Sequence, residues 1–128
     1  MERVRWINHK GKNIIVADYS NLRSNKPEDK AIVFRVIDEF KKELNKLKGK
    51  KALTLTDVTN SYANSETMDA LKSLAKYCKE KDLIEKECAV GITGVKKFLL
   101  QVVNLFGGSD VKPFNDMEPA MEYLVSEK

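Results

Sequence analysis

The chain is poor in the residues that announce a chemistry. Its 128 residues hold one histidine, two cysteines and one tryptophan. A structural zinc site draws on about four cysteine or histidine ligands. One histidine, His9, and no paired cysteines therefore leave no metal expected. Cys78 and Cys88 form no Cys-x-x-Cys and read as reduced packing residues of a cytosolic protein. No apolar run approaches the roughly 18 residues of a membrane span, so no integral membrane segment is expected. The opening Met1-Glu2-Arg3-Val4 is charged and leads into no signal-peptide core, which sets the expectation of a cytoplasmic protein. Zinc fingers, RNA-binding motifs and arginine-rich arms are absent, and the net charge of +4 is spread over interspersed acids and bases. No nucleic-acid partner is expected on that ground. The lysine-rich stretch 41–51 also carries Glu43 and reads as a solvated helix end and turn. Neither a Walker A loop, a Gly-x-Gly-x-x-Gly fingerprint nor a nucleophile elbow occurs, so no catalytic residue and no cofactor are assigned.

What is present is a clear pattern of elements. At 42% hydrophobic residues the chain can bury an ordinary core, and its length is that of one domain over residues 1–128. Val4 and Trp6 alternate with Arg3 and Arg5 as in a half-buried strand; Asn8 to Gly11 form a turn, and Ile14 to Ala17 a second strand pairing antiparallel with the first. Asp18 to Lys26 is a polar loop. Pro27, Glu28 and Asp29 suit the first turn of a helix, whose apolar stripe is Val33, Val36, Ile37, Phe40, Leu44 and Leu47, with Gly49 as its stop. Ala52 to Asp57 is a third strand, with Leu53 and Leu55 alternating with Thr54 and Thr56. Asn64 or Ser65 caps a second helix with stripe Met68, Leu71, Leu74, Ala75 and Cys78. Cys88 to Val90 centre a fourth strand. A third helix follows over Val95 to Phe106, stopped by Gly107 and Gly108; then come a short strand Val111 to Phe114 and a helix capped by Asn115 or Asp116, packing through Ala120, Met121 and Leu124. There is no internal repeat or linker.

The order predicts an α/β fold with a mostly parallel five-stranded sheet and an antiparallel N-terminal strand. Parallel crossovers are right-handed, so strands adding in sequence put the helices on one face. A strand covered on both faces should be apolar throughout. Thr54 and Thr56 therefore predict an open face opposite the helices.

Open α/β sheets bind at the carboxyl ends of their strands, and three loops leave those ends. The first holds Asp18, Tyr19, Ser20 and Asn21; Asp18 can act as an acid–base group or close an Asx-type turn. The second holds Asp57, Thr59, Ser61 and Tyr62 and runs into a helix N-terminus that suits an anion or a phosphorylated side chain. The third is Gly91-Ile92-Thr93-Gly94 followed by Lys96 and Lys97. Lysines in a first helical turn oppose the dipole. A bound anion held by Gly91, Thr93, Gly94, Lys96 and Lys97 would offset that.

Three stretches together, Ala17-Asp18-Tyr19-Ser20-Asn21-Leu22, Ala52 to Asn60, and Ala89-Val90-Gly91-Ile92-Thr93-Gly94-Val95-Lys96-Lys97, resemble the SpoIIAA-like proteins, also labelled STAS/SEC14-domain proteins. The resemblance runs over almost the whole chain and rests on order and spacing. It implies a STAS-like β-α superhelix with helices on one face. Better-known STAS domains include anti-sigma-factor antagonists that bind a kinase partner and are switched by phosphorylation at an Asp-Ser-Ser-Gly segment after the third strand. On this chain Asp57 matches the aspartate and Thr59 falls at the phosphoacceptor; Val58 and Asn60 depart from the pattern. The SEC14 part of the label implies an apolar or lipid-like ligand.

Three expectations follow. The first is a non-enzymatic regulatory or binding module engaging a protein partner. The second is a carrier of a small anionic or amphipathic, lipid-like ligand. The third is an enzyme acting through Asp18, Asp57 or Tyr19. A homodimer through an edge strand or the open face is compatible with all three.

Overall fold

The computed structural model describes residues 2–91 and 111–126. Five strands, β1 (Val4–His9), β2 (Lys12–Asp18), β3 (Ala52–Asp57), β4 (Ile84–Val90) and β5 (Val111–Phe114), form one sheet in sequential order. Three helices are described: α1 (Pro27–Asn45), α2 (Ser65–Glu80) and α3 (Met117–Val125). The helix expected over Val95 to Phe106, with its glycine stop, lies outside the described residues.

β1 and β2 pair antiparallel from Val4↔Ala17 to His9↔Lys12, and the remaining strands pair in parallel. The turn is narrower than the sequence suggests. Asn8 and His9 belong to β1, and only Lys10 (φ 52°) and Gly11 (φ 84°) connect the strands. Two successive residues at positive φ match the twist of a two-residue hairpin.

α1 starts at Pro27 with Glu28 and Asp29 in its first turn, and buries Val33, Val36, Ile37, Phe40 and Leu44. α2 is opened by a reciprocal cap. The Asn64 side chain accepts from the Thr67 backbone N–H at 3.0 Å, and Thr67 Oγ1 accepts from the Asn64 N–H at 3.0 Å. Two orphan donors are thereby satisfied, which is why a threonine sits fully buried at that position. α3 follows Asp116, whose side chain makes no capping bond.

The sheet divides the core in two. Ile15, Ala17, Ala52 and Ala89 pack under α1 and α2 with Val36, Phe40, Leu74 and Cys78. Ile14, Val16, Leu53, Leu55, Cys88 and Val90 pack under α3 with Ala120 and Leu124. The described helices are therefore on both faces, which corrects the expectation of a single covered face. The right-handed crossover rule binds only helices that link two parallel strands. α3 links none, so its apolar stripe is free to cover the largely aliphatic face. The expected open face is corrected as well. Register pairs Thr54 with Ile15 and Thr56 with Ala17, so both threonines lie on the α1–α2 side, and Thr54 is 1% exposed. Thr54 stands in a buried β position because threonine has the branched shape of valine.

Polar contacts hold α3 in place. Lys86 Nζ donates to the Tyr123 and Ser126 carbonyls at 3.3 and 2.6 Å, while His9 Nε2 and Lys10 Nζ lie 2.7 and 2.8 Å from the Glu122 carboxylate. Leu124→Ala should cost about 2–5 kcal/mol in urea unfolding, the range for emptying a buried leucine site. A loss under about 1 kcal/mol would mean that α3 does not seal this face. The hydrogen bond from Lys10, then that from His9, holds the Glu122 carboxyl below its ordinary value. A lowered folded value gives stability that is present above the unfolded value and lost as pH falls through the folded one. Glu122→Gln should therefore flatten the acid limb of stability against pH, between roughly pH 5 and 3, relative to the parent. An unchanged acid limb would show the contact to be idle.

Candidate functional site

The carboxyl ends of β2 and β3 carry the same four-residue turn. Asp18-Tyr19-Ser20-Asn21 and Asp57-Val58-Thr59-Asn60 both read Asp-x-Ser/Thr-Asn. In the first, Asp18 Oδ1 accepts from the Ser20 backbone N–H at 2.9 Å and from its hydroxyl at 2.5 Å. In the second, Asp57 Oδ1 accepts from the Thr59 N–H at 3.0 Å and its hydroxyl at 2.6 Å. Each turn ends on an asparagine in the left-handed region, Asn21 at φ 62° and Asn60 at φ 54°, a conformation asparagine tolerates better than most residues. Asp18 and Asp57 are in register. The two turns therefore lie side by side, and Asn60 Nδ2 donates to Asn21 Oδ1 at 2.9 Å between them.

The loops continue the ladder past the last strand residues. The N–H groups of Tyr19 and Asn21 donate to the carbonyls of Asp57 and Thr59 at 2.8 and 2.9 Å; Tyr62 donates to Leu22 and Ser24 to Tyr62 at 2.9 and 2.8 Å. This bridging places Arg23 opposite Tyr62. The guanidinium carbon of Arg23 lies 5.9 Å from the Tyr62 ring centroid, within cation–π range. Tyr62 is 47% exposed, and with Trp6 at 37% it is one of two large hydrophobic side chains so exposed among the described residues. Gly91, at the end of β4, closes the edge from the other side at φ +90°. A Cβ there would come 2.6 Å from Thr59 Cα and 2.7 Å from its nitrogen.

Most predicted site residues are thus committed to the architecture. Arg3 and Arg5 approach Asp18 at 3.6 and 3.5 Å, and Arg3 also donates to the Asp18 and Ser20 carbonyls. The Ser61 hydroxyl donates to the Val58 carbonyl at 2.7 Å. Thr59 remains exposed at the rim with its hydroxyl on Asp57. Thr93, Gly94, Lys96 and Lys97 lie outside the described residues, so of the expected anion-binding group only Gly91 is placed. Asp18, Asp57 and Tyr19 do not converge as an enzymatic reading requires. Strand parity puts the two aspartates on the α3 side, whereas Tyr19 belongs to the core under α1 and α2. His9 sits at the opposite end of β2, paired in register with Lys12. Among the described residues no group of three or more His, Cys, Asp or Glu side chains is disposed to hold a metal ion. Burial pushes both thiols, Cys78 and Cys88, up to about 12, where a nucleophilic thiolate is scarce at neutral pH.

A cavity of about 500 Å³ lies between α2 and the sheet and shares Tyr19 with this edge. Tyr19, Thr54 and Thr56 form its floor, Phe40, Leu71, Leu74, Ala75 and Cys78 its helical walls, and Lys79, Asp82 and Glu85 part of its rim. Leu71 and Ala75, read as core positions of the α2 stripe, are only partly buried because they face this space.

The sequence places Tyr62 in the second strand-end loop without giving it a role, and it does not single out Arg23. The available signal was a lone aromatic in an otherwise hydroxyl- and amide-rich loop; their pairing depends on the parallel register. The chain matches no family model, no curated protein and no solved structure.

Gly91→Ala should destabilise the fold by roughly 2 kcal/mol or more in thermal or urea unfolding, since it combines a left-handed backbone with a backbone clash. A variant as stable as the parent would show that β4 does not close against Thr59 as described.

Proposed function

We propose that the chain is a non-enzymatic binding module that engages a protein partner across the carboxyl-end edge of its sheet. The observation that carries this reading is the Arg23–Tyr62 pair. A half-exposed tyrosine beside an arginine is the composition enriched at the energetic centres of protein interfaces. Here it stands on loops fixed by a continued hydrogen-bond ladder, so little conformational freedom remains to be lost on binding. Asn21, Thr59 and Asn60 supply a polar surround within the same edge. The engagement of Asp18 and Asp57 in turn closure favours binding over acid–base chemistry.

The STAS resemblance supports a regulatory form of the same reading, with Thr59 as phosphoacceptor. A phosphoryl group on Thr59 would remove the hydroxyl proton now shared with Asp57 and set about two negative charges beside that carboxylate. Repulsion would open the second turn and, through Asn60, loosen its contact with Asn21. Modification would in this way change the shape of the edge that carries Tyr62.

The test is quantitative capture of a partner from extract, followed by affinity measurement with the purified pair. Tyr62→Ala should weaken binding about tenfold or more, as for an interface hot spot, with thermal stability within about 0.5 kcal/mol of the parent because the side chain is half-exposed. Thr59→Glu should shift affinity in the same assay. A partner bound equally by parent and Tyr62→Ala would sink the proposal.

A further inference from the structure

The end of the sheet opposite the Arg23–Tyr62 edge gathers lysines from three connections. Lys10 and Lys12 flank Gly11 in the β1–β2 turn. Lys46, Lys48, Lys50 and Lys51 lie where the chain passes from α1 to β3. Lys79 and Lys81 lie where it passes from α2 to β4, beside Glu80 and Asp82. The parallel register brings the three together. Lys12 and Lys51 each stand two residues before the pair Ile14↔Leu53 and are therefore level. The Ala52 N–H donates to the Leu83 carbonyl at 2.9 Å, and Lys51 Nζ lies 3.0 Å from the Asp82 carboxylate. The Tyr77 ring ties the ends of α1 and α2, with Lys41 Nζ 5.0 Å and Lys81 Nζ 5.5 Å from its centroid. Ion pairing does not consume this charge. Glu122 takes up Lys10 at 2.8 Å, Glu43 takes up Lys46 at 2.7 Å, and Asp82 takes up Lys51. Lys12, Lys48, Lys50 and Lys79 are exposed and form no ion pair among the described residues. With Glu43 and Glu122 counted in, eight lysines face four acids, a surplus as large as the net +4 of the whole chain. Turn chemistry does not call for them either. Lys10 and Lys48 sit at φ 52° and 49°, in the left-handed region that asparagine and glycine occupy more readily. Like charges crowded in this way repel one another.

We propose that this end of the molecule docks on the surface of an anionic lipid bilayer. The residue type sets the class. The basic residues of the three connections are all lysines. Arginine is the residue that grips a phosphate or a base edge with two parallel hydrogen bonds, whereas lysine is a point charge on a flexible stem. A face of lysine alone suits negative charge spread over a surface and gives a nucleic acid no base readout. The shape agrees. Lys10, Lys48 and Lys50 stand at or beside the apices of turns, and protruding apices meet a plane of headgroups more readily than they enclose a strand. A cluster of about four to eight basic side chains is the size that anionic leaflets attract. Docking in this sense leaves the opposite edge, with Tyr62, turned away from the bilayer. The assignment rests on the lysine end alone and does not depend on the reading of that edge.

The test is co-sedimentation of the full chain with phosphatidylcholine vesicles, with and without phosphatidylserine as roughly a third of the lipid. The chain should pellet with the anionic vesicles at about 0.05 M NaCl, be released at about 0.5 M, and stay in solution with phosphatidylcholine alone. Lys48→Asn combined with Lys50→Gln should weaken binding about 25-fold, near fivefold for each lysine. Its Tm should match or exceed that of the parent, because asparagine suits the left-handed backbone at position 48. Lys26→Gln removes an exposed lysine before α1, at the other end of the sheet, and should change binding less than about twofold if the face rather than the net charge is read. Failure to pellet with the anionic vesicles, undiminished binding by the double variant, or an equal loss in Lys26→Gln would each overturn the assignment. So would tighter binding to polyuridylate than to the vesicles at equal negative charge, which would give the face to a nucleic acid instead.

Discussion

Strand β2 is the member on which the rest of the molecule leans. Ile14, Ile15, Val16 and Ala17 are each at most 1% exposed. Their alternation sends Ile15 and Ala17 into the core beneath α1 and α2, and Ile14 and Val16 into the core beneath α3. The same strand pairs antiparallel with β1 and parallel with β3. It therefore joins two hydrophobic cores through one backbone. A change of register by one residue would exchange the two sets and empty both cores at once. That is a stronger constraint than either core alone would impose.

The carboxyl end of β2 extends this order into the loops. A polar loop usually runs over the surface and moves. Here two aspartates close equivalent turns, and the backbone ladder carries on to Ser24 and Tyr62. Because the turns repeat one sequence pattern on neighbouring strands, their asparagines meet and bridge. The edge is consequently an extension of the sheet in rigidity, though not in hydrogen-bond regularity. The cavity under α2 has a mixed character: Phe40, Leu71, Leu74 and Ala75 give it carbon walls, while Thr54 and Thr56 lie on its floor and charged side chains on its rim.

The sequence is most legible where local chemistry and tertiary role coincide. Pro27 with two acids behind it marks the start of α1, and alternating leucine and threonine mark β3 from Ala52 to Asp57. The sequential strand order follows from the same pattern, with short hairpin and helical connections. Legibility fails where a residue type serves two environments. Thr54 reads as solvent-facing by polarity, yet it is buried by shape. The apolar residues Cys88 to Val90 mark the centre of the fourth strand, yet β4 begins four residues earlier, at Ile84. β5 pairs only with Glu87 to Val90, so the preceding residues are an edge, and a register shift beside Ala52 and Leu53 displaces them further. At the candidate site, Asp18, Asp57 and Thr59 stand out because they end strands. Arg23 and Tyr62 do not, because only the parallel register brings them together, and register is a property of two segments rather than one.

The strand order has a further consequence for how the chain reaches this shape. Each strand joins the one made just before it, so the sheet can grow outward from the β1–β2 hairpin with mostly short loop closures. One face matures along with it, since α1 and α2 arrive between the strands they cover. The other face must wait. Ile14, Val16, Leu53 and Leu55 have their cover in Ala120 and Leu124, which are synthesised after every strand is in place. During translation, therefore, a growing and largely aliphatic sheet surface is present without its helix. Such a surface invites association with other chains or with chaperones until α3 docks. The helix that contributes least to the layout of the sheet thus decides how long the molecule remains adhesive.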